Sequence, residues 1–242
     1  MHEIERLVRR LDADGGGEAE DAQAELTRLG RETDVIAPLL RALPTLNGFG
    51  QLCAIEILQE LGDARAGQPL IELLTSEHDT VREWSARALA QLRVIEAVPA
   101  LRRAFQACKD RGDPPDWSAP GSIRFALTEL GARRPVVPSL TASLRFTTAY
   151  GHEAWPSERL IHVLDDLAAH DQVTLDFQLW RVEHDGGMYW KEVQWDDADL
   201  DYSQPWAMLV QQAHSRAAIA ATRAALGANV VATIDWIDRS DL

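Results

Sequence analysis

Apolar residues in the first half of the chain recur at helical spacing in short blocks. Each block ends on a leucine, at Leu29, Leu61, Leu92 and Leu130, in steps of 32, 31 and 38 residues. A proline follows each leucine after seven to nine residues, at Pro38, Pro69, Pro99 and Pro138. A recurring period of about 30 residues marks a solenoid of one repeated supersecondary unit. In QLCAIEILQEL (51–61), Leu52, Ile55, Leu58 and Leu61 fall near one helix face; Val81, Trp84, Ala88 and Leu92 do the same in VREWSARALAQL (81–92). Gly30, Gly62 and Gly131 come directly after the terminal leucine, where helices stop in a left-handed residue. Arg93 holds that place in the third block, which predicts a different closure there. Each proline then opens a second helix in its first turn, where the missing N–H removes no hydrogen bond. One such pair cannot bury its apolar faces alone, whereas stacked pairs can. EIERLVRRL (3–11) is amphipathic and precedes Gly15-Gly16-Gly17, as a capping helix would. The insertion KDRGDPPDWSAPGS (109–122) explains the longer step and places Trp117 on the rim.

After residue 144 the period stops. LRFTTAY (144–150) and VTLDFQLWRVE (173–183) alternate as strands do. PSERLIHVLDDLAAH (156–170) has helical spacing, Asp185-Gly186-Gly187 is a hairpin signal, and MYWKEVQW (188–195) is the returning strand. A long alanine-rich helix over 205–226 and a last strand over 230–239 complete the order strand, helix, strand, strand, helix, strand. That is the split βαβ order of ferredoxin-like domains. Phe146, Leu175, Phe177, Leu179, Ile234 and Trp236 would face the helices. Arg145, Thr147, Gln178, Trp180 and one of Trp190 or Trp195 would lie on the open face. The stretch 144–150 has a second reading as the end of the last solenoid helix, leaving three strands. The expected architecture is a helical repeat domain of about four pairs over 1–143 and an α+β domain over 144–242.

The repeat resembles the HEAT-like repeats of the short bacterial, phycobilisome-lyase-type kind. The carrying phrase is DTVREWSARALAQL (79–92), whose Asp79 and Arg82 match the family's pair that stacks between adjacent repeats. Arg124 matches the arginine in the fourth unit, but Gly121 and Ser122 precede it where an Asp belongs; Gln51 and Leu52 depart from the pattern in the second unit. The resemblance implies an α-solenoid over 1–143 and a scaffold for protein partners. Its lyase members would imply tetrapyrrole (bilin) chemistry, but the shared feature is the repeat and not a catalytic motif.

Charge narrows the function. The chain carries a formal net charge of −14. Residues 1–143 hold 17 basic and 22 acidic groups, and residues 144–242 hold 7 and 16. Neither half has the basic footprint of a nucleic-acid binder. The acidic balance has two readings, solubility and a surface that meets a basic partner protein. No apolar run reaches the roughly 20 residues of a membrane span, and the N-terminal stretch lacks the apolar core of a secretory signal. With two separated cysteines, Cys53 and Cys108, a reduced cytoplasmic setting is expected.

Catalytic motifs are missing. HEAWP (152–156) lacks the second histidine of a zinc-protease helix, and WDDADLDY (195–202) lacks the glycine and glutamate of a calcium loop. His162 with Asp165 and Asp166 reads as a surface helix cluster. Cys108 lies beside Lys109 and Arg111, which would lower its pKa. No catalytic residue, metal or cofactor is expected. The leading reading is a non-catalytic scaffold or adaptor, of the immunity or antitoxin type in one version, with a possible homodimer through the C-terminal sheet. The alternatives are the bilin-lyase-type enzyme and a small-ligand sensor in the C-terminal domain. Candidate contacts are Arg41, Glu72, Arg102 and Arg103 on the second helices, Trp117 in the insertion and Trp180 on the open sheet face.

Overall fold

The computed structural model describes residues 2–13, 16–115, 118–148, 151, 153–183, 187–191, 200–224, 227 and 229–241. The chain forms two compact units, Met1–Arg134 and Pro135–Leu242.

The first unit is a stack of helices. After α1 (His2–Arg10), a row of first helices runs α2 (Gly16–Gly30), α4 (Gly48–Leu61), α6 (Asp79–Gln91) and α8 (Ser118–Glu129). Between them stand the second helices α3 (Ile36–Ala42), α5 (Gly67–Leu73) and α7 (Val98–Arg111). Neighbours in the first row touch directly, α2 with α4, α4 with α6 and α6 with α8. One core joins them all, with Leu26, Leu39, Ile55, Leu58, Leu70, Leu89 and Leu101 fully buried. Pro38 and Pro69 sit in the first turns of α3 and α5, and Pro99 in that of α7.

The turn glycines divide into two kinds. Gly62 (φ +66°) and Gly131 (φ +71°) are left-handed, as expected. Arg93 also takes a positive φ, 55°. Its turn therefore closes as the others do, correcting the expectation from sequence. The backbone bonds agree: Val94 N–H reaches the Leu89 carbonyl at 3.0 Å, as Ala132 N–H reaches Leu127 at 2.8 Å. Arg93 also donates from Nη1 to the Glu129 carbonyl of the next repeat at 2.8 Å. Gly30 is not left-handed but remains helical. A Cβ there would lie 2.4 Å from Leu61 Cδ1, so this glycine admits the terminal leucine of the following repeat. Open space surrounds Gly62, so Gly62→Ala isolates backbone strain. It should lose about 1 kcal/mol in urea denaturation, and an unchanged midpoint would contradict that origin.

Polar side chains also bridge the repeats. Gln23 donates to Glu56 and Gln59 to Gln91. Arg31 pairs with Glu60 at 3.0 Å, and Arg87 Nε reaches Ser122 Oγ at 2.9 Å. Asp79 holds Arg82 at 2.8 Å within α6 and accepts from Ser118 of the next unit. Arg82 also donates to the Ser76 carbonyl at 2.7 Å, tying α6 to the turn before it. Exposed pairs contribute little individually, about 0–1 kcal/mol, so packing holds the stack together.

The second unit contains α9 (Ser139–Leu144), β1 (Phe146–Thr147), β2 (Glu153–Pro156), α10 (Leu160–Ala169), β3 (Val173–Val182), β4 (Met188–Lys191), α11 (Trp206–Arg223) and β5 (Val230–Ile237). The sheet is antiparallel in the order β1-β2-β5-β3-β4. Helix α10 joins β2 to β3 across β5, and α11 joins β4 to β5 across β3. Both crossovers therefore skip one strand, as a split βαβ does. A ferredoxin-like sheet centres its first and third strands; here the long, apolar β3 and β5 form the central pair. The ferredoxin-like expectation is corrected to this five-stranded order.

Leu160 and Leu164 of α10 and Ala217, Ala220 and Ala221 of α11 pack on Phe177, Leu179 and Ala232. Val173, Leu175 and Ile237 meet Trp206, Leu209 and Ala213. Phe146 is 40% exposed, contrary to its expected place against the helices. Of the strand expected over 144–150, Leu144 ends α9 and only Phe146–Thr147 form strand among the described residues, paired with β2 alone. The strand β2 was not legible in the sequence, yet Trp155 within it is buried. It donates from Nε1 to the Thr141 carbonyl at 2.8 Å and stands edge-on to Trp236 at 5.9 Å.

Candidate protein-binding site

The sequence-derived contacts on the second helices are all exposed: Arg41 on α3, Glu72 on α5, and Arg102 and Arg103 on α7. Two of them make hydrogen bonds, one across to the next repeat and one within its own helix. Arg102 donates to the Ala132 carbonyl at 3.3 Å, and Glu72 accepts from Gln68 at 3.1 Å. Trp117 and Trp195 lie outside the described residues. Trp180 is half-buried on β3 and donates from Nε1 to Thr233 Oγ1 at 3.0 Å, so its polar atom is satisfied within the sheet.

A groove that sequence reasoning missed lies on the other row, over α2, α4 and α6. It encloses about 710 Å³, with Phe49, Leu52, Cys53 and Trp84 as its apolar part and Glu20, Gln23, Glu56 and Glu60 among its polar lining. A second groove of about 530 Å³ shares Phe49 and Leu52 and continues to Asn47, Gly48 and His78. Gly48 makes room for the His78 ring, 3.0 Å from where a Cβ would stand. Phe49 is 42% exposed. A signal was present in the repeat itself. Leu52 lies 32 residues after Glu20 and 31 before Glu83, so it stands where neighbouring repeats carry carboxylates.

The groove's charges are unevenly matched. Arg28 is held by Glu25 at 2.7 Å and Arg31 by Glu60 at 3.0 Å. Glu20 and Glu56 have no arginine partner among the described residues. Burial pushes the Cys53 thiol up to about 11, and the charges of Glu56 and Glu20 add to the rise. Cys108 is also raised by burial, which outweighs Arg111 although its Nη2 lies 3.2 Å from Sγ. The lowered pKa expected for Cys108 is thereby corrected.

The remaining polar clusters are structural. Asp166 accepts from Thr141 N–H at 2.8 Å and Thr141 Oγ1 at 2.7 Å, and Asp165 lies 2.7 Å from His214 Nε2. Of the acidic loop, residues 195–199 lie outside the described set; Asp201 turns onto Ser203, whose hydroxyl and N–H hold its carboxyl below the usual range. Among the described residues no group of His, Cys, Asp and Glu is placed to hold a metal, and no helix is long and apolar enough to cross a membrane.

On the sheet face away from the helices, Asp176 and Asp235 are cross-strand partners. Burial raises the Asp176 pKa, and the Asp235 charge raises it further against the 3.3 Å bond from Gln178. A carboxyl raised by folding makes the native state bind protons more tightly, so stability falls as pH rises from the ordinary aspartate range through the raised value. Asp176→Asn should therefore raise the melting temperature at pH 7, with the gain vanishing near pH 3. A pH-independent difference between variant and parent would contradict this.

With the stacked helices described, the comparison with known families is decisive for one segment. Residues 36–112 match a family model of HEAT repeats. These HEAT repeats span α3 to α7 and include the floor of the groove. The C-terminal half is matched by no family model. No curated protein matches the chain.

Proposed function

We propose that this protein is a non-catalytic interaction scaffold or adaptor whose HEAT repeats engage another protein. The observation that carries the reading is the run of HEAT repeats over residues 36–112, since such repeats present an extended side-chain surface to partners. The finer reading is an immunity- or antitoxin-like inhibitor, cytoplasmic and acidic, that covers the surface of a basic protein. The net charge of −14 supports it by favouring encounter with a cation-rich surface. The second unit would add a further contact or pair two copies through its sheet.

The test uses the full chain as bait in a native extract, beside a variant carrying Arg41→Glu, Glu72→Lys, Arg102→Glu and Arg103→Glu. The expected result is one stoichiometric partner, held less tightly as salt rises; a change in retention by the four reversals would place a contact on the second helices. If neither bait retains a protein, the scaffold reading falls. If both retain the partner equally, the second-helix surface is not the contact.

A further inference from the structure

The groove over the first helices has a more specific chemistry than the rest of the solenoid surface. Its apolar floor gathers Phe49, Leu52 and Trp84 from two adjacent repeats. An exposed phenylalanine beside a half-buried tryptophan is the composition of an interface anchor site. The adjoining groove shares Phe49 and Leu52 with this floor and reaches His78 at the starts of α4 and α6, giving a trough along α4. At the far end Arg28 and Arg31 are already engaged by Glu25 and Glu60. Over the apolar floor the carboxylates of Glu20 and Glu56 have no cation among the described residues. Their field also adds to the upward shift of the Cys53 thiol beneath them.

We infer that this trough is the docking site for a basic amphipathic helix of the partner protein, which seats apolar side chains on Phe49, Leu52 and Trp84 and sets lysine or arginine against Glu20 and Glu56. The inference rests on the scaffold reading above and assigns it a different row of helices from the exposed residues of α3, α5 and α7. A helix supplies both halves of the match at once. Apolar side chains at i and i+3 or i+4 fill the floor, while the flanking positions carry the charge. Glu56 is held in place by Gln23, so part of the acidic edge is preset for a cation. A lone apolar ligand would leave the two carboxylates partly desolvated and unpaired, which is unfavourable.

A random peptide library displayed on phage tests this with the full chain immobilised. The expected enriched sequences carry lysine or arginine beside apolar residues at helical spacing. A synthetic peptide of the enriched sequence should bind the parent protein and lose about tenfold in affinity to a Glu20→Gln, Glu56→Gln double variant. Leu52→Lys should weaken it at least as much. Glu158→Gln with Glu183→Gln, both exposed in the second unit, serves as the control and should leave binding unchanged, and an Arg41→Glu, Arg103→Glu variant is measured beside it. Thermal melts establish that each variant is folded; the glutamine variant keeps size and polarity if the lysine variant does not fold. Enrichment of peptides without basic residues, equal affinity for the groove variants, or no enrichment overturns the assignment. Peptides that bind but depend on Arg41 and Arg103 also overturn it while leaving the scaffold reading intact. Failure of both the library and the native capture removes both.

Discussion

Replacing Trp155 by alanine should destabilise the second unit by about 3–5 kcal/mol, the range for deleting a buried aromatic side chain. The indole is 1% exposed and lies in a cluster with Val163, Leu167 and Trp236. Its edge-on contact with Trp236 adds about 0.5–1.5 kcal/mol beyond burial. Its N–H is also the donor to the Thr141 carbonyl, and the Thr141 N–H and hydroxyl in turn bind Asp166. One ring thus fastens β2, α9 and α10 together. Trp155→Phe separates the two contributions, because it keeps most of the packing and leaves a buried carbonyl unpaired, at about 1–3 kcal/mol. Denaturant midpoints in the order parent, phenylalanine, alanine are expected. Amide exchange should accelerate in α9 and α10 while α4 and α6 keep their protection. Equal midpoints for all three proteins would contradict the role given to the indole.

Trp155 also shows why this half of the fold was less legible than the first. A two-sided alternation identifies β3 and β5, since Val173, Leu175, Phe177 and Leu179 leave no other arrangement that buries them. The four-residue β2 follows the left-handed Gly151, ends on Pro156 and offers no such pattern. Strand order depends on pairing across long stretches of chain, and nothing local in β3 states that it pairs with β5 as well as with β4. The phrase 130–144 reads as a repeat, yet its second helix, α9, lies in the other unit, because Thr141 meets Asp166. The solenoid was legible because its information is periodic and local: leucine, turn, proline, apolar helix. Arg93 is the exception that tests the rule, since the turn geometry persists there without the glycine. The groove was half legible. Leu52 in a carboxylate position was visible in the aligned repeats, but the room between α2, α4 and α6 depends on packing. The second-helix row was the natural expectation because charged side chains there are exposed in every repeat.

The largest effect in the first unit is expected from Leu89→Ala. Leu89 is fully buried on α6, and α6 packs against α4, α5 and α8. Leucine-to-alanine changes at such sites lose about 2–5 kcal/mol, with the high end where the surroundings cannot relax into the cavity. Helices on several sides leave little room for relaxation, so the upper part of that range is expected. Repeat proteins derive their stability from neighbour interfaces, so a defect in a middle repeat weakens the interfaces on both sides. Leu7→Ala is the comparison. Leu7 is 4% exposed on α1, whose contacts are with α2 and α3. Its loss is bounded by the energy that holds one terminal helix in place, because α1 can detach while the rest of the stack persists. Leu89→Ala should therefore lower the main helical melt seen by circular dichroism at 222 nm. Leu7→Ala should leave that melt near the parent value and open α1 to amide exchange. Equal shifts in the main melt would show that the stack unfolds as one unit from end to end, and that the terminal helix carries as much of the cooperativity as the central one.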